Sequence, residues 1–493
     1  MQASRRDYYA ALGILRESTP EEIKRAYYSA ARRFHPDQNM LPGETEMFLE
    51  VQRAYEVLSN PERRAKYDAT LPEVDPDTIA PVRIHVDYSR HSLVRLDEPQ
   101  LIYALFEAAP PGGPGKEVIA PLNMCLVLDR STSMQGEKLD VAKATAVRIV
   151  QMLRPEDLFA LVVFSDRAEV FLPSAFQSDL KRAQSRIQSI QASGATEIFQ
   201  GLSAGLNELR RNRDPRRGSH LILLTDGHTY GDEQQCLQLA EEAARLNISI
   251  SGFGIGGEWN DIFLDSLVGR TGGNSTYIAQ PQDIQQMLVQ KFAALARTVV
   301  DDAILEFQPQ SGIQLRSCHR LQPDAGPVEI AQELHLGPIL QDERLSVLFE
   351  FLVESAASKT ESIVLLEGYV RAVVAARPIP FPPIPLRMER PSGTSASQQL
   401  PPQSIVSALA KLSLYRLQER ARHETEAGEF ELATRHLRHL ALQLQAQGHE
   451  DLSKTAILEA ESIERMQSFS EEGSKAIKYG TRALMQAPSG SRE

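Results

Sequence analysis

Leu122-Asn123-Met124-Cys125-Leu126-Val127-Leu128-Asp129-Arg130-Ser131-Thr132-Ser133 is the stretch that decides the fold. The run Leu122 to Leu128 is almost continuously apolar, the signature of a strand buried on both faces of a parallel sheet. A carboxylate and two hydroxyls, Asp129, Ser131 and Ser133, stand at alternate positions just past it. That is where open α/β sheets bind ligands. All three are hard oxygen donors and suit a small hard cation such as magnesium. Two more oxygen-bearing residues lie downstream: Thr196 in SGATEIF, and Asp226 at the end of the buried run HLILLTDG. A plainer reading makes Ser131 and Ser133 caps of a helix starting near Gly136. Thr196 and Asp226, each at the end of a matching element, weigh against it.

Outward from this stretch, strand and helix patterns alternate from Glu117 to about Val299. Strands are predicted at Leu122–Leu128, Leu158–Phe164, Leu221–Thr225 and Ile248–Ile255. Helices are predicted at Glu137–Leu153, Asp179–Ile190, Glu197–Arg211, Asp232–Leu246 (Asp232 as cap) and Pro281–Arg297. The alternation implies a mainly parallel, doubly wound sheet. Gly252, Gly254, Gly256 and Gly257 follow no phosphate-loop or dinucleotide pattern, so nucleotide binding there is excluded. The DxSxS stretch, the distant Thr and the Asp of a TDG turn together resemble the metal-ion-dependent adhesion site of von Willebrand factor type A (VWA) domains. All five positions match: Asp129, Ser131, Ser133, Thr196 and Asp226. The resemblance implies that the hydroxyls coordinate magnesium, with manganese as a substitute, and that the aspartates act largely through water and hydrogen bonds. It also implies that a Glu or Asp of a partner protein fills an open position.

The N-terminal segment FHPDQN, Phe34 to Asn39, carries a second signal. Before it, Ile23, Ala26, Tyr27, Ala30 and Phe34 fall at helical spacing in a basic amphipathic stretch. Thr19, Pro20 and Glu22 form a helix start with a capping box. After it, Phe48, Val51, Ala54, Tyr55 and Leu58 mark a second amphipathic helix. Asn60-Pro61 then opens a short basic one, ERRAKYD. Alone, His35 would read as a buried histidine and Pro36-Asp37 as a helix stop. Two helices around an HPD loop, preceded by DYYAALGI, resemble a J domain over roughly residues 5–70. The resemblance implies recruitment of a DnaK-type chaperone ATPase. Lys24, Arg25, Arg32 and Arg33 would dock on an acidic surface, His35, Pro36 and Asp37 would contact the chaperone, and the Asp37 carboxylate would engage an arginine at its domain junction. Tyr28 and Ser29 stand where the family often carries basic residues.

A chain of 493 residues is too long for one core. Its net charge of −12 argues against nucleic acid as the main partner. The one dense basic patch, RRNRDPRR at 210–217, reads as a solvated loop. Three scattered cysteines, Cys125, Cys236 and Cys318, form neither a zinc pattern nor a disulfide framework. No secretory signal and no run of about 18 apolar residues is seen, which points to a cytoplasmic protein without a membrane span.

The expected architecture is multidomain α+β. Residues 1–71 form the helical J domain and 72–80 a linker. Residues 81–115 give strands of a sandwich, 116–300 the VWA domain, and 301–376 more of the sandwich. Period-two alternation carries the sandwich: Val82, Ile84, Val86 and Tyr88 on one flank, Leu345, Val347, Phe349, Phe351 and Val353 on the other. The VWA domain would then be inserted into a β domain. Residues 377–403 read as a Pro/Ser-rich linker or extended strap and 404–486 as a helical hairpin or small bundle, partly similar to a tetratricopeptide hairpin. Residues 487–493 read as a disordered tail.

No nucleophile or general base accompanies the oxygen cluster, so recognition rather than catalysis is expected and the chain is not expected to be an enzyme. The combined expectation is a J-domain co-chaperone whose VWA domain selects a protein client or complex. The alternative is an interaction scaffold in a signalling or AAA+ ATPase assembly, with an inactive J fold.

Overall fold

The computed structural model describes residues 8–12, 14, 18–34, 44–68, 82–110, 119–177, 179–228, 231–354, 361–375, 381–394 and 399–486. Among the described residues, four helices come first: α1 (Tyr8–Leu12), α2 (Pro20–Phe34), α3 (Glu44–Leu58) and α4 (Pro61–Asp68). The capping box at the start of α2 is reciprocal. The Thr19 amide donates to Glu22 Oε2 at 2.7 Å, and the Glu22 amide to Thr19 Oγ1 at 3.3 Å. Tyr9, Leu12, Ile23, Val51, Ala54 and Leu58 make the core between these helices. Tyr27 stacks on Tyr55 with ring centres 4.1 Å apart. Arg64 donates to the Tyr9 hydroxyl, which donates to Asp68, so α4 is tied back to α1. His35, Pro36, Asp37, the side chains of Arg32 and Arg33, and residues 69–81 lie outside the described residues.

Three strands follow: β1 (Arg83–Tyr88), β2 (Leu93–Val94) and β3 (Gln100–Ala109). The chain then enters the α/β unit. Its elements are β4 (Leu122–Asp129), α5 (Glu137–Met152), β5 (Leu158–Phe164), β6 (Ala168–Ala175), α6 (Leu180–Gln188), α7 (Ile198–Arg211), β7 (Gly218–Thr225), α8 (Glu233–Arg245), β8 (Ile248–Ile255), α9 (Asp261–Gly269), β9 (Ser275–Ile278) and α10 (Asp283–Leu295). The sheet order is β6-β5-β4-β7-β8-β9. β6 pairs antiparallel with β5, and the other pairings are parallel. Every residue of β4 is buried. Met124, Leu126 and Leu128 face the core formed with α5, α6 and α10, while Cys125 and Val127 face that of α7, α8 and α9. Helices on both faces explain why the strand is apolar without alternation.

Beyond it run β10 (Thr298–Gln308), β11 (Ile313–Gln322), β12 (Gly326–Pro327), β13 (Glu333–Leu340), β14 (Leu345–Val353), β15 (Ser362–Val373) and β16 (Ile384–Gly393). They make two sheets, β1-β3-β14-β11-β12 and β13-β10-β15-β16-β2. β3 pairs with β14 from Gln100↔Val353 to Ala108↔Leu345, so strands from both flanks of the α/β unit share one sheet. Phe106, Leu305, Phe349, Leu366 and Met388 lie in the common core. One expectation is corrected. The stretch 377–403 is not merely a linker, because β16 pairs with β15 from Ser362↔Pro391 to Val370↔Ile384.

Four helices close the chain: α11 (Gln403–Glu426), α12 (Phe430–Ala446), α13 (Glu450–Met466) and α14 (Glu471–Met485). α11 lays Ile405, Ala408, Leu412 and Tyr415 on Leu105, Leu321 and Leu348 of the first sandwich sheet. α14 reaches the α/β unit: Lys478 meets Asp261, and Arg482 meets Asp265. No described helix is long and apolar enough to cross a membrane.

Candidate functional site

The sheet order reverses between β4 and β7, the switch point where open α/β sheets form a crevice beyond their strand ends. Asp129 ends β4, and Asp226 follows Thr225 at the end of β7. Both aspartates are buried. Asp129 is fixed on both oxygens. Oδ1 accepts from the Ser131 amide at 2.8 Å, and Oδ2 from the Thr225 hydroxyl at 2.7 Å. Burial pushes its carboxyl up to about 6, with Asp226 adding to the rise, although the hydrogen bonds from Thr225 and Ser131 oppose it.

The hydroxyls continue the chain of contacts. Ser131 Oγ lies 3.0 Å from Ser133 Oγ, and Ser133 Oγ donates to Asp226 Oδ1 at 2.7 Å. Neither serine caps α5, whose N-cap is Gly136, with no side-chain cap bond. The loop carrying Thr196 is stitched to this segment through its backbone. Thr132 N–H and Oγ1 both donate to the Gly194 carbonyl, and Ser193 N–H donates to that of Arg130. Thr196 itself is buried, and a Cβ added at Gly227 would sit 2.9 Å from its Oγ1. Gly227 therefore lets Thr196 close in beside Asp226. The five residues foreseen from the sequence gather at one sheet edge.

Two partners were not foreseen. Thr225 orients Asp129, and Lys138 Nζ donates to Asp226 Oδ2 at 2.6 Å. Lys138 had a faint signal: a cation in the first turn of a helix opposes the helix dipole and needs an outside partner. Asp232, expected as the cap of α8, is its N-cap residue, but its side chain makes no cap bond and accepts from the Phe199 amide. The donor set suits a hard cation. Two carboxylates and three hydroxyls are all oxygen, and among the described residues no group of three or more His, Cys, Asp or Glu forms a site of the nitrogen–sulfur kind. A metal here depends on the hydroxyls.

Elsewhere, Gly252 and Gly254 within β8 serve packing, since a Cβ there would collide with Leu264 and Trp259 respectively. The basic patch is largely ion-paired: Arg210 with Glu242, Arg211 with Glu208 and Arg216 with Asp214. All three cysteines are free and buried. On α2, Lys24 and Arg25 are exposed, and so is Tyr28 at 57 %.

The DnaJ domain model matches residues 7–68, the von Willebrand factor type A domain model residues 123–291, and the Sll0103-like, C-terminal alpha-helical domain model residues 403–487. The last match replaces the tetratricopeptide likeness for the closing helices. The chain is 25% identical over 319 residues to protein sll0103 of Synechocystis sp., covering 63% of this chain and 75% of that one. Its N-terminal part is 57% identical over 68 residues to the chaperone protein DnaJ of Trichormus variabilis, covering 14% of this chain and 18% of that protein. A von Willebrand factor type A structure from Catenulispora acidiphila aligns with a TM-score of 0.65 at 16% identity, covering 83% of this chain and 98% of that one. The ArnB paralog VWA2 from Sulfolobus acidocaldarius aligns at 0.52 and 14%, covering 82% and 99%. At these identities the two structures speak to the fold. The chain joins a J domain to a VWA domain and ends in an α-helical region of four helices.

Proposed function

We propose that this chain is a J-domain co-chaperone whose VWA domain selects a protein client or complex through a divalent cation, magnesium or manganese. The observation carrying the reading is the continuous chain of hydrogen bonds at the β4/β7 switch point, from Asp129 through the Ser131 amide and the Ser131 and Ser133 hydroxyls to Asp226, with Thr196 closed against it. Ser131, Ser133 and Thr196 would hold the ion, while Asp129 and Asp226 orient the hydroxyls and balance its charge. When bound, the ion supplies Lewis acidity toward an acidic side chain of the partner. Thr225 and the Ser131 amide keep Asp129 in one rotamer, so the serine loop is set before a partner arrives.

The J domain would stimulate a DnaK-type ATPase through His35, Pro36 and Asp37, with Lys24, Arg25, Arg32 and Arg33 docking on an acidic surface. ATP hydrolysis belongs to that partner, so this chain acts as a recruiter and is not an enzyme. A second reading, an interaction scaffold with an inactive J fold, draws on the exposed Tyr28 within the basic helix.

Capture of a partner from lysate tests the VWA half. It should require magnesium and be lost with Asp129→Ala, with the secondary structure of that variant unchanged by circular dichroism. Capture that survives both EDTA and Asp129→Ala would show that this edge is not the recognition surface. Asp37→Asn tests the J half. It should abolish single-turnover stimulation of the cognate chaperone with helicity unchanged, and equal stimulation by both proteins would favour the scaffold.

A further inference from the structure

Lys138 is poorly placed for a residue that only solvates a helix. It lies in the first turn of α5, where the helix dipole disfavours a positive charge. The acidic residues beside it on that turn are already engaged: Glu137 accepts from Gln282 at 2.9 Å, and Asp140 pairs with Lys143 at 3.0 Å. Its ammonium crosses to β7 and meets Asp226 Oδ2 at 2.6 Å, with the Ser133 carbonyl at 3.4 Å. The Asp226 side chain is fully buried, whereas a third of the Lys138 side chain remains exposed. One end of Asp226 is thus taken by Ser133, and the other by a mobile-stemmed monovalent cation that can withdraw toward solvent.

We infer that Lys138 is an internal competitor for the metal: its ammonium neutralises Asp226 until a divalent ion is taken up, and then has to leave that carboxylate. The inference rests on the metal reading above. The ammonium satisfies Asp226 and reaches the Ser133 carbonyl, and no hydrogen bond joins it to the hydroxyl oxygens of Ser131 or Thr196. A divalent ion interacts with the carboxylate and the hydroxyl lone pairs together. Exchange therefore favours the ion, but only after the lysine contact is given up. The lysine keeps affinity for the free ion modest, and it protects a buried carboxylate that would otherwise be unpaired.

The experiment compares wild type, Lys138→Met, Lys138→Arg and Asp129→Ala in the full chain. Manganese binding is followed by electron paramagnetic resonance, and melting temperature is read with and without manganese. Lys138→Met keeps the stem and removes the charge. It should bind manganese about tenfold more tightly, the scale of one lost charge competition. It should also melt lower than wild type in EDTA and gain more from added manganese. Lys138→Arg should bind close to wild type. Equal or weaker manganese binding by Lys138→Met, with binding by wild type intact, overturns the competitor role and leaves the metal site standing. Loss of affinity in both lysine variants would make Lys138 a support for α5 and also overturns it. No manganese binding by wild type at millimolar ion would remove both the role and the metal reading.

Discussion

Asp301 and His220 meet at the seam between the VWA sheet and the sandwich. His220 Nε2 is buried with no hydrogen-bond partner, 3.8 Å from Asp301 Oδ1. Asp301 Oδ2 accepts from the Ala375 amide. Burial pushes the His220 imidazole down to about 3, assisted by the charge of Lys291, and pushes the Asp301 carboxyl up to about 6, with Asp302 adding to it. An acid whose folded value is raised contributes stability below the unfolded value of about 4 and loses it as pH rises through 6. Asp301→Asn keeps an acceptor for Ala375 and offers an amide donor toward His220. At pH 7.5 it should raise stability by about 3 kcal/mol, and at pH 4 the gain should largely vanish. Melting curves at the two pH values check this; a variant less stable at pH 7.5 would overturn it. At this scale, the candidate-site residues were legible because Asp129, Ser131 and Ser133 form a local pattern at a strand exit, and the resemblance to VWA domains pointed to Thr196 and Asp226. Lys138, Thr225 and the Asp301–His220 pair were not, because each takes its meaning from a residue far along the chain.

The closing helix α14 lies within the stretch expected to be helical, but its docking on the α/β unit stayed hidden. Lys475, Lys478 and Arg482 would ordinarily be given to solvent, but all three are buried. Asp261 receives Arg422 at 2.6 and 2.9 Å and Lys478 at 2.5 Å, while Asp265 receives Arg482 and Lys478, each at 2.8 Å. Apolar periodicity accounts for Ile477 and Met485 of α14, but it cannot reveal the charged contacts by which the helix meets the α/β unit. Strand β16 was masked differently, by Pro385 and Pro391, which read as breakers. It pairs with β15 on one side and only with the two-residue β2 on the other, so little of its outer edge needs an amide. β6, likewise unforeseen, is an edge strand containing Pro173. Burial raises the Asp261 and Asp265 carboxyls, but the guanidinium and ammonium groups outweigh it and hold both well below the usual carboxylate range. Their contribution is present above about pH 4 and is lost only as pH falls toward the depressed folded values. Asp265→Asn removes one anion from between two buried cations and should cost about 3–5 kcal/mol. Limited proteolysis should then cut residues 403–486 faster. Unchanged cleavage and an unchanged melting temperature would show that apolar contacts alone seat α14.

At the scale of the molecule, the VWA domain, sandwich and closing helices hold one another through polar as well as apolar contacts. Arg320 of β11 donates to the carbonyls of Gly272 and Gly273 in the VWA domain, Lys291 of α10 pairs with Asp324, and α11 covers the first sandwich sheet. The proposed recognition edge is therefore presented on a framework built from three regions of sequence, with the J domain on the same chain. Covalent linkage gives that arrangement its advantage. A partner held at the VWA edge sees the J domain at an effective concentration of about millimolar, far above that of a free co-chaperone. With partner and magnesium present, the wild-type chain should stimulate the chaperone ATPase at a concentration roughly 10–100-fold lower than without them. Two full-length variants separate linkage from mere co-presence. Asp37→Asn keeps partner binding without J activity, and Asp129→Ala keeps J activity without partner binding. Neither alone should show the partner-dependent gain, and their equimolar mixture should not restore it, because the two functions then sit on different molecules. A mixture that matched wild type would mean that the domains act independently and that their fusion does not deliver the partner to the chaperone.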